Sequence, residues 1–171
     1  MYNALSLAIS LVALGLSGFF TLRQIRQARS TSHMTMLLEV ALHNIRDKDF
    51  QSDQHYVLTR LAQEHAPAAG MDALPEPALT MTRNVAFSYE YIGAMVALGM
   101  VDSSLALSVF HFRVRQVWTA LEPYVRAERE IRNAPFLPFF EHLYLVSCAN
   151  PTAKFLRSLG LRNTDGYSPD A

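Results

Sequence analysis

The first 22 residues, MYNALSLAISLVALGLSGFFTL, contain no charged side chain, and this constrains the chain more than any other feature of its sequence. A helix of that length rises about 30 Å, the thickness of a bilayer's hydrocarbon core. A transmembrane helix over residues 1–22 is therefore expected. A cleavable signal peptide would carry a basic region before the apolar run and a small-residue site after it. Here the first basic residue is Arg23, and the run ends in Phe19, Phe20 and Leu22. Ser6, Ser10 and Ser17 are its main polar interruptions, and a serine can satisfy itself on its own helix backbone. Arg23, Arg26 and Arg29 follow within two turns, with nothing basic before the span but the terminal amine. The positive-inside bias then puts the N-terminus outside and the remainder in the cytoplasm, as a single-pass protein of the cell inner membrane. The three arginines lie at headgroup depth, where they act as a topology signal facing the lipid bilayer.

The remainder reads as all-α. Neither Gly nor Pro occurs between Thr21 and Ala66, and Ile25, Met36, Leu37, Val40, Ala41 and Ile45 fall mostly three and four apart. The membrane helix thus continues as a juxtamembrane helix over residues 23–50, and a cytoplasmic helical bundle occupies residues 51–150. Asp47 to Asp53 reads as a polar turn, with Ser52 or Asp53 capping a helix that carries Tyr56, Val57, Leu61 and Ala62 and ends near His65. Pro67, Gly70, Pro75 and Pro77 make residues 66–77 a linker. A third helix runs from Pro77 to about Met100, with Met81, Val85, Tyr89, Ile92 and Val96 on one face. Asp102 caps a fourth, which Pro123 should kink or divide. A short aromatic helix comes next, and residues 151–171 form a flexible tail. Within Val85 to Val101 the one charge is Glu90, but the stretch is at the short limit for a membrane span and has no basic flank. A buried central helix fits it better.

Fifteen Lys and Arg balance fifteen Asp and Glu, which removes the global field that holds a nucleic acid, and no nucleic-acid partner is expected. Cys148 is the only cysteine, so neither an internal disulfide nor a cysteine-rich zinc site can form. His33, His43, His55, His65, His111 and His142 are scattered over the predicted helices, and the Glu-x-x-His spacing of bundle metal sites is missing. No metal and no cofactor is expected. No serine or cysteine sits in a nucleophile elbow and no glycine pattern cradles a phosphate, so no catalytic residue stands out.

Polar residues of interest are Asn84 and Glu90 on the third helix, Arg113 and Arg115 on the fourth, and Arg126 and Arg129 beyond Pro123. Glu90 sits among Phe87, Tyr91, Ala94 and Ala97, so a buried carboxylate there must find a partner. A bridge to Arg113, Arg126 or Arg129, making a structural polar centre, is the expectation. The functional alternative is a polar cleft for a ligand or partner. Phe136, Phe139, Phe140 and Tyr144 put more apolar surface on a short helix than it can hide by itself. They either pack within the core or present an interaction surface.

Asn84-Val-Ala-Phe-Ser-Tyr-Glu90-Tyr-Ile-Gly93, the run GMVDSSL, Val117-Trp118, Pro123-Tyr-Val-Arg126 and Phe139-Phe-Glu141-His-Leu143 come after an apolar N-terminal helix and a basic segment. In this the chain resembles the bacterial domain of unknown function family 4760, over roughly residues 5 to 147. The resemblance implies an architecture, a membrane-anchored helical domain, and no activity. Two functions remain in view. One is a non-enzymatic, membrane-tethered interaction module or accessory subunit that binds another membrane protein. The other is a homo-oligomeric membrane effector or pore-forming protein, whose spans approach through Ala13, Gly15, Ser17 and Gly18.

Overall fold

The computed structural model describes residues 13–21, 24, 35, 39, 46–150 and 160. The chain divides into two compact units, residues 1–40 and 41–171. In the first, residues 13–21 are helical, and Leu14, Leu16, Phe19 and Phe20 are all more than half exposed. Thr21 Oγ1 donates to the Ser17 carbonyl at 2.8 Å, the local bond a hydroxyl makes on a helix. Among the described residues no helix is long and apolar enough to cross a membrane. Residues 1–12 and Leu22 of the expected span lie outside the described residues, as do Arg23, Arg26, Arg29, His33, His43 and, except for Gly160, the expected tail. Of the expected juxtamembrane helix the described positions before Asp47, namely Gln24, Thr35, Glu39 and Arg46, are helical.

The second unit is all-α, with no strand among its described residues. Its elements are α1 (Lys48–Thr59), α2 (Leu61–Glu64), a 3-10 turn (Pro67–Ala69), α3 (Ala78–Ala97), α4 (Ser103–Arg132) and α5 (Pro138–Ala149). Asp47, not Ser52 or Asp53, begins α1: its carboxylate accepts from the amides of Asp49 and Phe50. The expected polar turn is helical because Asp47 satisfies the first free amides, and Phe50 then supplies a buried anchor one turn in. Asp102 caps α4 as expected, accepting from Ser104 and Leu105.

α4 is the axis of the unit, 30 residues long and so about 45 Å. Ala106, Leu107, Phe110, His111, Val114, Val117, Trp118, Leu121, Tyr124, Val125 and Glu128 are its buried positions, a three-and-four repeat sustained along most of its length. Pro123 does not divide it. The proline is exposed, so the bond it withholds is lost on the solvent side and the apolar stripe continues unbroken.

Residues 66–77 are not a free linker. Met71 is fully buried and Leu74 nearly so, and the segment forms a strap against α4. Gly70 adopts φ +80°, and a Cβ there would lie 2.5 Å from Glu128 Oε2, so only glycine lets the strap come this close. Prolines stop this stretch from being helical, and its two apolar side chains still find the core.

α3 lies against both α1 and α5. Val85, Ala86, Tyr89, Ile92 and Gly93 form its buried stripe, while the expected companions Met81 and Val96 are half-buried at its edge. The helix ends where Gly99, at φ +68°, turns left-handed and the amides of Met100 and Val101 fold back onto the Met95 carbonyl. The core between α3, α4 and α5 is aromatic. Tyr89 stacks on Phe140 at 5.1 Å between ring centres, Trp118 meets Phe140 edge-on at 5.0 Å, and Tyr144 stacks on Trp118 at 5.6 Å. Such pairs add roughly 0.5–1.5 kcal/mol each beyond simple burial.

Candidate functional site

Polar and aromatic residues converge where the start of α5 meets the middle of α3. Leu137, the residue before α5, holds φ +53° and offers no side-chain cap; Pro138 then fixes the first helical φ. The free amides at the start of α5 therefore depend on an acceptor from elsewhere. Glu90 of α3 supplies it: its Oε2 accepts from the Phe140 amide at 2.7 Å. A carboxylate there also complements the positive end of the helix dipole. Three residues on, Gly93 is buried, and a Cβ at that position would collide with the Phe139 carbonyl. Glu90 and Gly93, one helical turn apart on the same face, thus form the seat of α5.

The expected arginine partner of Glu90 is corrected by this geometry. A half-buried carboxylate that takes a backbone amide and a helix dipole has no need of a guanidinium, and the three candidates point elsewhere. Arg126 binds Glu122 one turn back at 2.5 Å. Arg129 bridges to Glu141 on α5 at 2.8 Å, and its Nε donates to the Phe136 carbonyl. Arg113 is exposed, with a 3.3 Å contact to Gln116. Asn84 is likewise apart from Glu90, donating to Asp53 at 2.7 Å and tying α3 to α1. The five residues do not form one polar centre. Arg129 nevertheless acts on the same α5 terminus, because Glu141 lies in the first turn of that helix.

Of the four aromatic candidates, Phe136 and Phe140 are buried and Tyr144 is half-buried against Trp118, so these three serve the core. Phe139 is 38 % exposed and stands at the edge. Phe87 meets the Phe136 ring edge-on at 6.3 Å, which closes the other side of the α3–α5 seam.

A second polar cluster, not singled out in the sequence, locks the strap. Glu128 is 3 % exposed, accepts from the Asp72 amide at 3.0 Å and pairs with Arg132 at 2.5 Å. Arg132 continues to the Asp72 carboxylate, which also meets Arg83 of α3 at 2.7 Å. Burial raises the Asp72 carboxyl, but Arg83 and Arg132 outweigh it and hold the group below its ordinary value. The signal available in the sequence was the Glu128/Arg132 spacing of four on a helix. Its partner on the strap was out of reach, because 56 residues separate Asp72 from Glu128.

Tyr124 adds a further tie, donating from its buried hydroxyl to the His65 carbonyl at 2.5 Å. His111, buried on α4, bonds through Nε2 to the Asn150 carbonyl at 2.8 Å, next to Arg115, which donates to the Ser147 carbonyl at 2.6 Å. Both close the C-terminal end of α5 against α4. His55 and His142 are exposed. Among the described residues no group of three or more His, Cys, Asp or Glu is placed to hold a metal ion.

One cleft of about 480 Å³ opens where α1 and α2 meet the start of α3, lined in part by His55, Tyr56, Arg60, Glu64, Glu76 and Met81. Its main charges neutralise one another. Arg60 donates twice to Glu64, at 2.8 and 2.6 Å, and Tyr56 donates to the same carboxylate at 3.1 Å. The hydrogen bond from Arg60 holds the Glu64 carboxyl below its usual range.

A helical body assembled on one long axis, with a packed strap and a terminal helix seated on a half-buried glutamate, is the class of protein these observations define. The family model of the Domain of unknown function (DUF4760) matches residues 4–146, and the chain belongs to that family. No curated protein and no solved structure matches it.

Proposed function

We propose that this protein is a single-pass membrane-tethered helical module, with its N-terminus outside and its helical unit in the cytoplasm, acting without catalysis as an accessory or interaction subunit for another membrane protein. The observation that carries the reading is the uncharged run of residues 1–22 followed by Arg23, Arg26 and Arg29. Where that run is described it is helical, and Leu14, Leu16, Phe19 and Phe20 are exposed, a surface suited to lipid. On the helical unit Tyr91, Leu98, Phe112 and Leu145 are each more than half exposed, which gives a partner apolar anchors.

The second reading, a homo-oligomeric membrane effector, draws on Gly15 and Gly18: nothing lies within 4 Å of a Cβ built on either, so the helix face they share is open to a second helix. One experiment separates the two. The full chain, solubilised in mild detergent and purified through a C-terminal tag, is analysed by native mass spectrometry. A monomer that carries an unrelated membrane protein supports the accessory reading, and a discrete homo-oligomer supports the effector. A periplasmic reporter that is active when fused after Ala171 would overturn the orientation, and recovery of the full chain in the supernatant after a carbonate wash would overturn tethering.

A further inference from the structure

A small cavity of about 210 Å³ lies between α1, α3 and α4, lined by Phe50, Gln51, Gln54, Tyr89, Val109, Phe110 and Arg113. A cavity of this size has room for several water molecules or for a small organic molecule. Its walls are sorted by chemistry. Phe50, Val109 and Phe110 are apolar, while Gln54, Tyr89 and Arg113 bring donors, and none of the lining residues is a carboxylate.

The donors are left available in a specific way. Gln54 Nε2 donates to the Tyr89 hydroxyl oxygen at 2.8 Å, which fills that oxygen's acceptor role and leaves its own proton to give. Among the described residues no acceptor takes that proton. Burial pushes the Tyr89 hydroxyl up to about 12, with the Gln54 bond and the nearby Arg113 charge pulling it down, so at neutral pH it remains a protonated donor. The Gln54 amide keeps a second N–H. Arg113 makes no ion pair among the described residues; its bond is the long one to Gln116. The buried Tyr89 hydroxyl proton lacks an acceptor, and the exposed Arg113 guanidinium stands at the same cavity with no carboxylate among its lining residues; a negatively charged acceptor with an apolar body would complement both and the apolar wall.

The geometry points to this cavity as a binding site for a small organic monocarboxylate, its carboxylate held by Arg113 and the Tyr89 hydroxyl and its apolar part against Phe50, Val109 and Phe110. The site stands apart from the membrane-tethering proposal, since every lining residue belongs to the helical unit. It would make the seam of α1, α3 and α4 responsive to a metabolite-sized anion.

The test is equilibrium dialysis of radiolabelled benzoate against the full chain in lipid nanodiscs, with empty nanodiscs as blank and with benzyl alcohol and inorganic phosphate as competitors. One saturable site per chain is expected, displaced by benzyl alcohol or phosphate only at concentrations at least about tenfold higher than by unlabelled benzoate. Arg113→Gln, an exposed position whose replacement leaves the core intact, should weaken benzoate at least about tenfold, and Tyr89→Phe should weaken it severalfold with unchanged far-ultraviolet circular dichroism. Binding no greater than that of empty nanodiscs up to about 10 mM benzoate, or equal affinity in Arg113→Gln, would overturn the site. Equal competition by benzyl alcohol would remove the anion from the argument, and equal competition by phosphate would remove the apolar body; either result overturns the proposal.

Discussion

Glu90 shows how much a single position depends on what folds up to it. On its own helix it is a charge in an apolar stretch; in the fold it is the N-terminal cap that α5 lacks, because Leu137 contributes no side-chain bond. Replacing Glu90 with Ala removes a charge-assisted bond to a helix amide and should lower stability by about 2 kcal/mol, whereas Glu90→Gln, which keeps an acceptor, should lose about 1 kcal/mol. Chemical denaturation of the full chain in detergent measures both. Equal losses in the two variants would mean that the charge contributes nothing at this helix end. Gly93 gives the complementary case. Alanine is the better helix former by about 1 kcal/mol, yet Gly93→Ala would drive a methyl into the Phe139 carbonyl, and the net result should be a loss of about 1–3 kcal/mol. A more stable Gly93→Ala variant in the same melt would show that α5 can move away from α3 freely.

At the scale of elements, each helix that starts with an acidic residue of its own carries its own instruction. Asp47 and Asp102 cap α1 and α4 from their own sequence, so the signal for where each helix begins is local. Asp102→Ala should therefore cost about 1 kcal/mol, with faster hydrogen exchange confined to the first turn of α4. Uniformly faster exchange along all of α4 would show that the cap sets the whole helix. α5 is the opposite kind of element, short and apolar, dependent on Glu90 at its start and on the bonds from His111 and Arg115 at its end. The strap is a third kind: its prolines and Gly70 set its path, and Met71 and Leu74 hold it to the core.

For the helical unit as a whole, Asp72 and Glu128 with Arg83 and Arg132 tie the strap to α3 and α4 in one charged network. Burial works against the Asp72 carboxylate, but the two arginines more than offset it, so the folded group titrates below its ordinary value of 3.8. A carboxyl with a depressed folded pKa stabilises the native state above its unfolded pKa, and that contribution disappears as pH falls through the folded one. Stability should therefore drop below about pH 4, and Asp72→Asn should be less stable than the native protein at pH 7 while losing less on going to pH 3. Melting temperatures of both proteins across that range measure the difference, and parallel curves would exclude Asp72 as the acid-sensitive link. Asp72 is partly open to solvent, so screening by water keeps the effect modest.

The sequence by itself determined the local and periodic features. Apolar positions three and four apart made the main elements of the second unit helical, Asp102 marked where α4 begins, and the match over residues 4–146 placed the chain in its family. These features act through neighbours a turn or two away, so they can be read along a line. The partners of Glu90 and Tyr89, and the strap partner of Glu128, could not, because burial states only that a polar group needs a partner, and the folded topology chooses which one. Arg126 and Arg129, expected beside Glu90, instead meet Glu122 and Glu141, and an amide 50 residues away took the place assigned to them. The strap was hidden for the same reason: proline and glycine announce an end to helix, but only packing decides whether the residues beyond that end are a linker or part of the core.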